Sequence, residues 1–283
     1  MEMLANIVYY VVPFLLLLGI LVFVHEFGHF IVARKLGVSV SAFSLGFGKE
    51  LWSVTDKKGT VWKISAIPLG GYCQFLGDAD ESSSTSEIDL SKYTPEEQKH
   101  LFALQSPIKK LAISVAGPLF NYLLAFVIFF GLFFFIGSYD IPPVVSDVIE
   151  NSPAQKAGIL KDDKILEING TEIDNWSDIT KEISVAVNDA TLKIERRNEI
   201  ITVVIPLETI EYAYDGEEKP IKRKMIGIKG EAKQFREVKD NFRFFDSIKK
   251  AAIELYDVTD MTLRGVGQMI TGERSSEDVG GII

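Results

Sequence analysis

One cysteine and three histidines are all that the 283 residues hold of the two side chains most used for cross-links and soft-metal binding. The single thiol, Cys73, excludes an intrachain disulfide framework and reads most simply as a small apolar packing residue. Positive charge is also scarce. Thirty Lys and Arg face 39 Asp and Glu, a net charge of −9, so the basic footprint that nucleic-acid binding requires is missing. No segment repeats at the period of about 20–50 residues that marks solenoids and propellers.

Charge of either sign is absent from two long stretches. Between Glu2 and Arg34 only Glu26 is charged, and residues 7–24 are almost wholly apolar. At about 1.5 Å per residue, a helix from residue 7 to 33 is roughly 40 Å long, against a hydrocarbon layer of ~30 Å. A first membrane span is therefore expected within 1–33. Residues 111–139 likewise carry no charge and are rich in Phe, Leu, Ile and Val, which predicts a second span. A cleaved signal peptide, the other reading of the N-terminal run, requires a basic leading region where this chain has only Glu2, so the first span is expected to be retained. Arg34 and Lys35 follow the first span and Lys109 and Lys110 precede the second, whereas Asp140, Asp147 and Glu150 lie beyond it. The positive-inside rule then puts 34–110 on the cytoplasmic side and everything after Tyr139 on the other.

Ionisable groups at bilayer depth are expensive and mark function by default. His25, Glu26 and His29 form a His-Glu-x-x-His motif near the cytoplasmic end of the first span. Four residues apart on a helix, the two imidazoles share a face and can bind one Zn²⁺, while Glu26 can act as general base on a zinc-activated water attacking a peptide carbonyl. Two of only three histidines fall in the motif, which argues against chance. His100 lies in a polar stretch and reads as an ordinary surface residue. On the second span Gly117 and Asn121 are four apart and share a face, suited either to close helix packing or to a buried polar contact.

Between the spans, 43–78 alternates aromatic and β-branched residues with Gly and contains the turn sequence TDKKGT, which reads as strands joined by tight turns. It fits a membrane-associated hairpin, whose edge could hold a substrate as an added strand, and equally an ordinary cytoplasmic β-subdomain. Residues 77–98 are acidic and serine-rich and predict a mobile loop. From 140 to about 232, short β runs such as KILEI and ITVVIPL, a helical stretch near 177–187 and turn signals such as Asn169-Gly170 describe a small α+β domain. Residues 242–273 place apolar side chains at helical spacing among too many charges for a span, and predict an amphipathic, membrane-associated helix.

In the same order along essentially the whole chain, HEFGH, the stretch 43–78, SPIKKLAISVAGPLFNYLLAF and NSPAQKAGILKDDKILEINGTEIDNW resemble the site-2 protease family of zinc intramembrane metalloproteases, in its bacterial RseP-like branch. The resemblance implies a membrane protein with an α-helical transmembrane core, a re-entrant β-hairpin region and an inserted α+β PDZ domain. It implies Zn²⁺ as cofactor with His25 and His29 as ligands, Glu26 as the catalytic base, and Gly117 and Asn121 as substrate-binding residues near the metal. The expected partners are the lipid bilayer and single-span membrane protein substrates such as anti-sigma factors or remnant signal peptides, with peptide ends bound by the PDZ domain and no nucleic acid. The expected location is multi-pass in the bacterial inner membrane, with the PDZ domain extracytoplasmic.

The chain departs from the family at the third zinc ligand. The resemblance implies an Asp in an Asn-Pro…Leu-Asp-Gly motif on a later span, and that motif is missing here. The one Asp-Gly pair, Asp215-Gly216, falls in an acidic loop on the opposite side of the membrane. The third ligand is therefore expected beyond Ile283, with 274–283 the start of a missing C-terminal transmembrane region. A membrane-tethered PDZ adaptor with an inert metal motif is the rival reading.

Overall fold

The computed structural model describes residues 2–78, 89–137, 139–187, 189–212, 221–230, 236–237 and 243–272. Residues 79–88 of the acidic, serine-rich stretch, the Asp215-Gly216 pair and 274–283 lie outside them, whereas 89–98, expected as mobile loop, form short capped helical turns. The chain divides into two compact units, 1–128 and 129–283.

In the first unit, helix α1 spans Glu2–Lys35 and ends on Arg34 and Lys35, where positive charge suits the C-terminal dipole. Tyr9, Tyr10, Phe14, Leu16, Leu17 and Ile20 stand exposed along its first half, as side chains facing lipid would. Helix α2, Pro95–Gln98, is a single turn held by a capping box between Thr94 and Glu97. Helix α3, Pro107–Gly131, starts four residues before the uncharged stretch because Pro107 is pre-set for a first helical turn. Its Lys109 reaches back to bond the Leu36 carbonyl at 3.1 Å, and His100 Nδ1 lies 2.6 Å from the Gly37 carbonyl, so both satisfy groups at the end of α1. A π turn over Leu132–Ile136 and Gly137 at φ 93° close α3. The two segments Tyr9–Lys35 and Pro107–Ile136 are long and apolar enough to cross a membrane.

Strands β1, Val40–Thr55, and β2, Val61–Phe75, pair antiparallel, but each is used twice. Residues 42–45 pair with 71–74 on one edge and align with 61–64 on the other, and 61–65 pair in turn with 50–55. The sequence predicts a simple hairpin. Gly46, at φ 85° and with the Ile67 carbonyl 2.5 Å from where a Cβ would stand, lets the chain bend back into a broader sheet. The inner half buries Val40, Phe43, Cys73 and Phe75 with Phe30, Ala33 and Ile113, and Phe43 and Trp62 pack their rings 4.6 Å apart. The outer half leaves Leu51, Trp52, Ile67 and Leu69 exposed.

In the second unit, strands β3 (Tyr139–Asp140) and β4 (Val145–Val148) precede the short helix α4 (Pro153–Lys156), and β5 (Lys164–Ile168), β6 (Thr171–Glu172) and helix α5 (Trp176–Val185) follow. Then come β7 (Asp189–Arg196), β8 (Glu199–Pro206), β9 (Glu208–Tyr212), β10 (Ile221–Met225), β11 (Ile228–Gly230) and β12 (Arg236–Glu237). The central sheet has the order β6-β5-β7-β8, with β4–β11, β9–β10 and β3–β12 as separate pairs. Alternate residues of β7 point inward, so that Leu192 and Ile194 meet Ile165, Ile168 and Ile205 and the α5 residues Ile179 and Ile183 in one core. Helix α6, Arg243–Thr271, lies along α5: Lys181 pairs with Asp257 at 2.7 Å and Glu254 at 3.5 Å, and Gln268 bonds the Val185 carbonyl at 2.6 Å. Its other face shows Phe245, Tyr256, Leu263 and Ile270 exposed.

Candidate metal centre

His25, Glu26 and His29 sit in the half-buried second half of α1, where α3 crosses it. The crossing depends on a missing side chain: a Cβ on Gly28 would stand 2.5 Å from the Ala116 carbonyl oxygen. One helical step further along, a Cβ on Gly117 would overlap His29 Nε2 and lie 2.7 Å from His25 Nε2. Both Nε2 atoms therefore converge on one spot, and Gly117 keeps that spot open. The outer ring nitrogens are held by α3. His29 Nδ1 lies 2.7 Å from the Ile113 carbonyl, which only accepts, so Nδ1 carries the proton and Nε2 keeps its lone pair. His25 Nδ1 lies 3.3 Å from the Asn121 amide, whose Oδ1 is buried without a partner when Nδ2 faces the ring. Turned over, the amide accepts from His25 Nδ1 and leaves His25 in the same tautomer as His29.

Glu26 reaches toward β2. A Cβ on Gly71 would come 3.7 Å from Glu26 Cγ and 3.0 Å from Val22, and the Cys73 backbone N–H faces the Glu26 carboxylate. At the end of α1, Arg34 bonds Asp56 at 2.5 Å and Thr60 at 2.8 Å. Burial pushes the Asp56 carboxyl up, but donors from Trp62, the Lys58 backbone, Arg34 and the Thr60 backbone outweigh it and hold it at about 2, ionised throughout the physiological range.

These residues fit the histidine half of a zinc site. Two Nε2 atoms brought close together, each ring held through its other nitrogen by a partner on α3, suit a metal-binding imidazole pair. Among the described residues no third His, Cys, Asp or Glu joins them. Sequence reasoning pointed to Gly117 and Asn121 through the family resemblance, as substrate contacts. The structure places both beside the histidines, Gly117 against the two Nε2 atoms and Asn121 against His25 Nδ1. The Ile113 carbonyl was not foreseen, because a backbone acceptor leaves no mark in the sequence. If Asn121 orients His25, Asn121→Leu should weaken zinc retention by the intact enzyme about 10–100-fold, and Asn121→Asp, which keeps an acceptor, much less; competition with a chelator measures both.

A carboxylate beside a paired set of imidazoles on a membrane-length helix is the arrangement expected of a zinc metallopeptidase. The model of peptidase family M50 matches residues 13–283. A protein named as a zinc metalloprotease in Rickettsia conorii is 37% identical over 276 residues, covering 96% of this chain and 74% of the relative. Similarly named proteins of Rhizobium meliloti and Campylobacter jejuni are 36% and 31% identical, covering 99% and 98% of this chain and 75% and 72% of their own lengths. The PDZ domain of an SdrC-like protein from Listeria innocua aligns with 31% of this chain and 92% of its own at 23% identity, with a TM-score of 0.25. The chain belongs to peptidase family M50, the membrane-embedded site-2 proteases, and is a zinc-dependent metalloendopeptidase by family.

Proposed function

We propose that the protein cleaves transmembrane segments of single-span membrane proteins near the cytoplasmic face, as an intramembrane endopeptidase acting on remnants such as shortened anti-sigma factors or signal peptides. The observation that carries this reading is the convergence of His25 and His29 Nε2 on Gly117, with Glu26 turned toward β2. Zinc, when bound, supplies Lewis acidity toward a peptide carbonyl and its attacking water. A third ligand comes from outside the described residues. Glu26 takes a proton from the water at its carboxylate and returns it to the leaving amide nitrogen. A substrate unwound to an extended strand adds along β2 and presents its backbone beside Glu26. Gly117 and Asn121 line the opposite side and meet the substrate near the histidines. The α+β domain, residues 140–232, serves outside the cytoplasm as a PDZ module that admits substrates by their exposed peptide ends, in a multi-pass protein of the bacterial inner membrane.

The test is cleavage by the intact enzyme in lipid vesicles of a single-span peptide with and without its extracytoplasmic portion. The expected result is a cut in the cytoplasmic half of the span, faster for the shortened peptide and abolished by a zinc chelator. A cut outside the span, or one indifferent to the chelator, would sink the reading.

A further inference from the structure

We infer that Arg34 and Asp56 are positioning residues: their clamp fixes the β2 segment 71–73 at its working height over Glu26. The inference rests on Glu26 being the base of the proposed reaction, and its structural half stands apart from that reading.

The clamp joins the far end of α1 to the tip of the sheet. Arg34, eight residues beyond Glu26, bonds Asp56 Oδ2 and Thr60 Oγ1 and lies 4.5 Å over the Phe30 ring. Asp56 divides its two oxygens. Oδ1 accepts the Lys58 and Thr60 backbone N–H groups at 2.8 and 3.2 Å and so makes the turn. Oδ2 accepts from Arg34 at 2.5 Å and from Trp62 Nε1 at 3.2 Å and so ties the turn to the helix and the sheet. Thr60, fully buried, passes the tie on to the Val40 carbonyl at 2.6 Å.

From the clamp a packed path leads back to the site. Trp62 stacks near Phe30 and Phe43, with centroids 4.9 and 4.6 Å apart, Phe43 sits opposite Cys73 in the ladder, and the Cys73 N–H faces Glu26. At Gly71 the sheet is already as close to α1 as it can come, with Val22 3.0 Å from an added Cβ. Beyond the core it shares with Phe30 and Ala33, the sheet is held to α1 at its turn by charge and at 71–73 by close approach. The end of the sheet away from the turn carries exposed Leu51, Ile67 and Leu69 and has no protein over it among the described residues. Releasing the turn leaves the sheet free to tilt on its core, and the part that moves lies over the base.

Two variants separate clamp from fold. Asp56→Asn keeps an oxygen for the two turn N–H groups and turns an NH₂ toward the donors of Arg34 and Trp62. Arg34→Lys keeps the charge but loses the planar group whose Nη2 donates to both Asp56 and Thr60, and the stack on Phe30. Glu50→Gln, which removes an exposed 3.9 Å pair with Lys63 in the same sheet, is the control. In the intact enzyme in detergent, alkylation of Cys73 followed by mass spectrometry should run about tenfold faster in both clamp variants, as local opening after loss of charge-assisted bonds. Zinc content should be unchanged, kcat should fall about tenfold and KM should rise with it, since the segment that moves carries both the contact to Glu26 and the strand that the substrate adds to. The control should move nothing. Unchanged Cys73 alkylation, faster alkylation with kcat intact, or zinc lost in parallel would each overturn the inference. If the wild-type enzyme hydrolyses no membrane peptide at all, the proposed function fails, and the alkylation rate still decides whether the clamp holds the sheet.

Discussion

Replacing Glu26 with Gln is expected to lower turnover of the intact enzyme by about 10²–10⁴-fold while leaving its zinc content unchanged. The two halves of that result have separate physical grounds. Gln keeps the shape and hydrogen-bonding reach of Glu but cannot accept a proton, so the water loses its base. The metal is unaffected because Glu26 is not one of its ligands: its neighbours include Gly71 and the Cys73 N–H, whereas the two Nε2 atoms lie together at Gly117 on α3. The amide is also well placed to stay put, since its oxygen can still accept from Cys73. Parallel assays of zinc by atomic absorption and of peptide cleavage in vesicles give the answer. A membrane-tethered adaptor would bind its partners equally well with either residue, and retained cleavage in Glu26→Gln would remove Glu26 from the mechanism.

Much of this site was legible in the sequence because its components obey short-range rules. Two histidines four apart on an uncharged helix fix their own face, and one carboxylate between them has few other reasons to be at that depth. The long helices were equally readable, as absence of charge over membrane length is a strong signal. What could not be read was everything that depends on a second element. Gly28 and Gly117 look like packing glycines until α3 is laid across α1, when one proves to admit the Ala116 carbonyl and the other to leave room for both imidazoles. The folded-back sheet is similar. Alternation announces strands but not that 42–45 will be flanked on both edges, which depends on a bend at Gly46 against Ile67. The Arg34–Asp56 pair spans 22 positions and joins a helix end to a turn, and neither residue is unusual for its place in the sequence.

The second unit adds a contrast. Its core follows the alternation of β7 so closely that the α+β character was evident from pattern alone, yet the docking of α6 on α5 was not. Helical spacing of apolar residues in 243–271 shows that two faces exist but does not say which is covered. The structure covers the charged one, through Lys181 with Glu254 and Asp257, and leaves Phe245, Tyr256, Leu263 and Ile270 bare. A helix that turns Glu254 and Asp257 toward protein and leaves an apolar stripe exposed inverts the usual arrangement of a soluble surface helix.

Gly117→Ala should remove zinc from the protein by more than about tenfold at a fixed chelator concentration and abolish cleavage with it, although alanine is the better helix former by about 1 kcal/mol. The reason is one methyl group. Placed on the backbone of α3, it would overlap His29 Nε2 and stand 2.7 Å from His25 Nε2, crowding both nitrogens that hold the metal in this reading. The imidazoles cannot swing aside cheaply, since His29 is tied through Nδ1 to the Ile113 carbonyl and His25 through Nδ1 to Asn121, both on the same helix as the new methyl. Nor is there slack in the crossing, because Gly28 already touches the Ala116 carbonyl, and moving α3 outward would open the contact that brings it to the histidines at all. Gly131→Ala on the same helix, where nothing lies within 4 Å of the added carbon, isolates the steric effect from any general effect of alanine on α3 and should leave zinc and cleavage unchanged. Set beside Glu26→Gln, the pair divides the chemistry by element: the helix that carries the base can lose activity and keep the metal, while a single methyl on the helix that carries no ligand among the described residues loses both. If Gly117→Ala retained its zinc, the two Nε2 atoms would have to bind the metal on some other side of the rings, and the assignment of the cradle would fall with it.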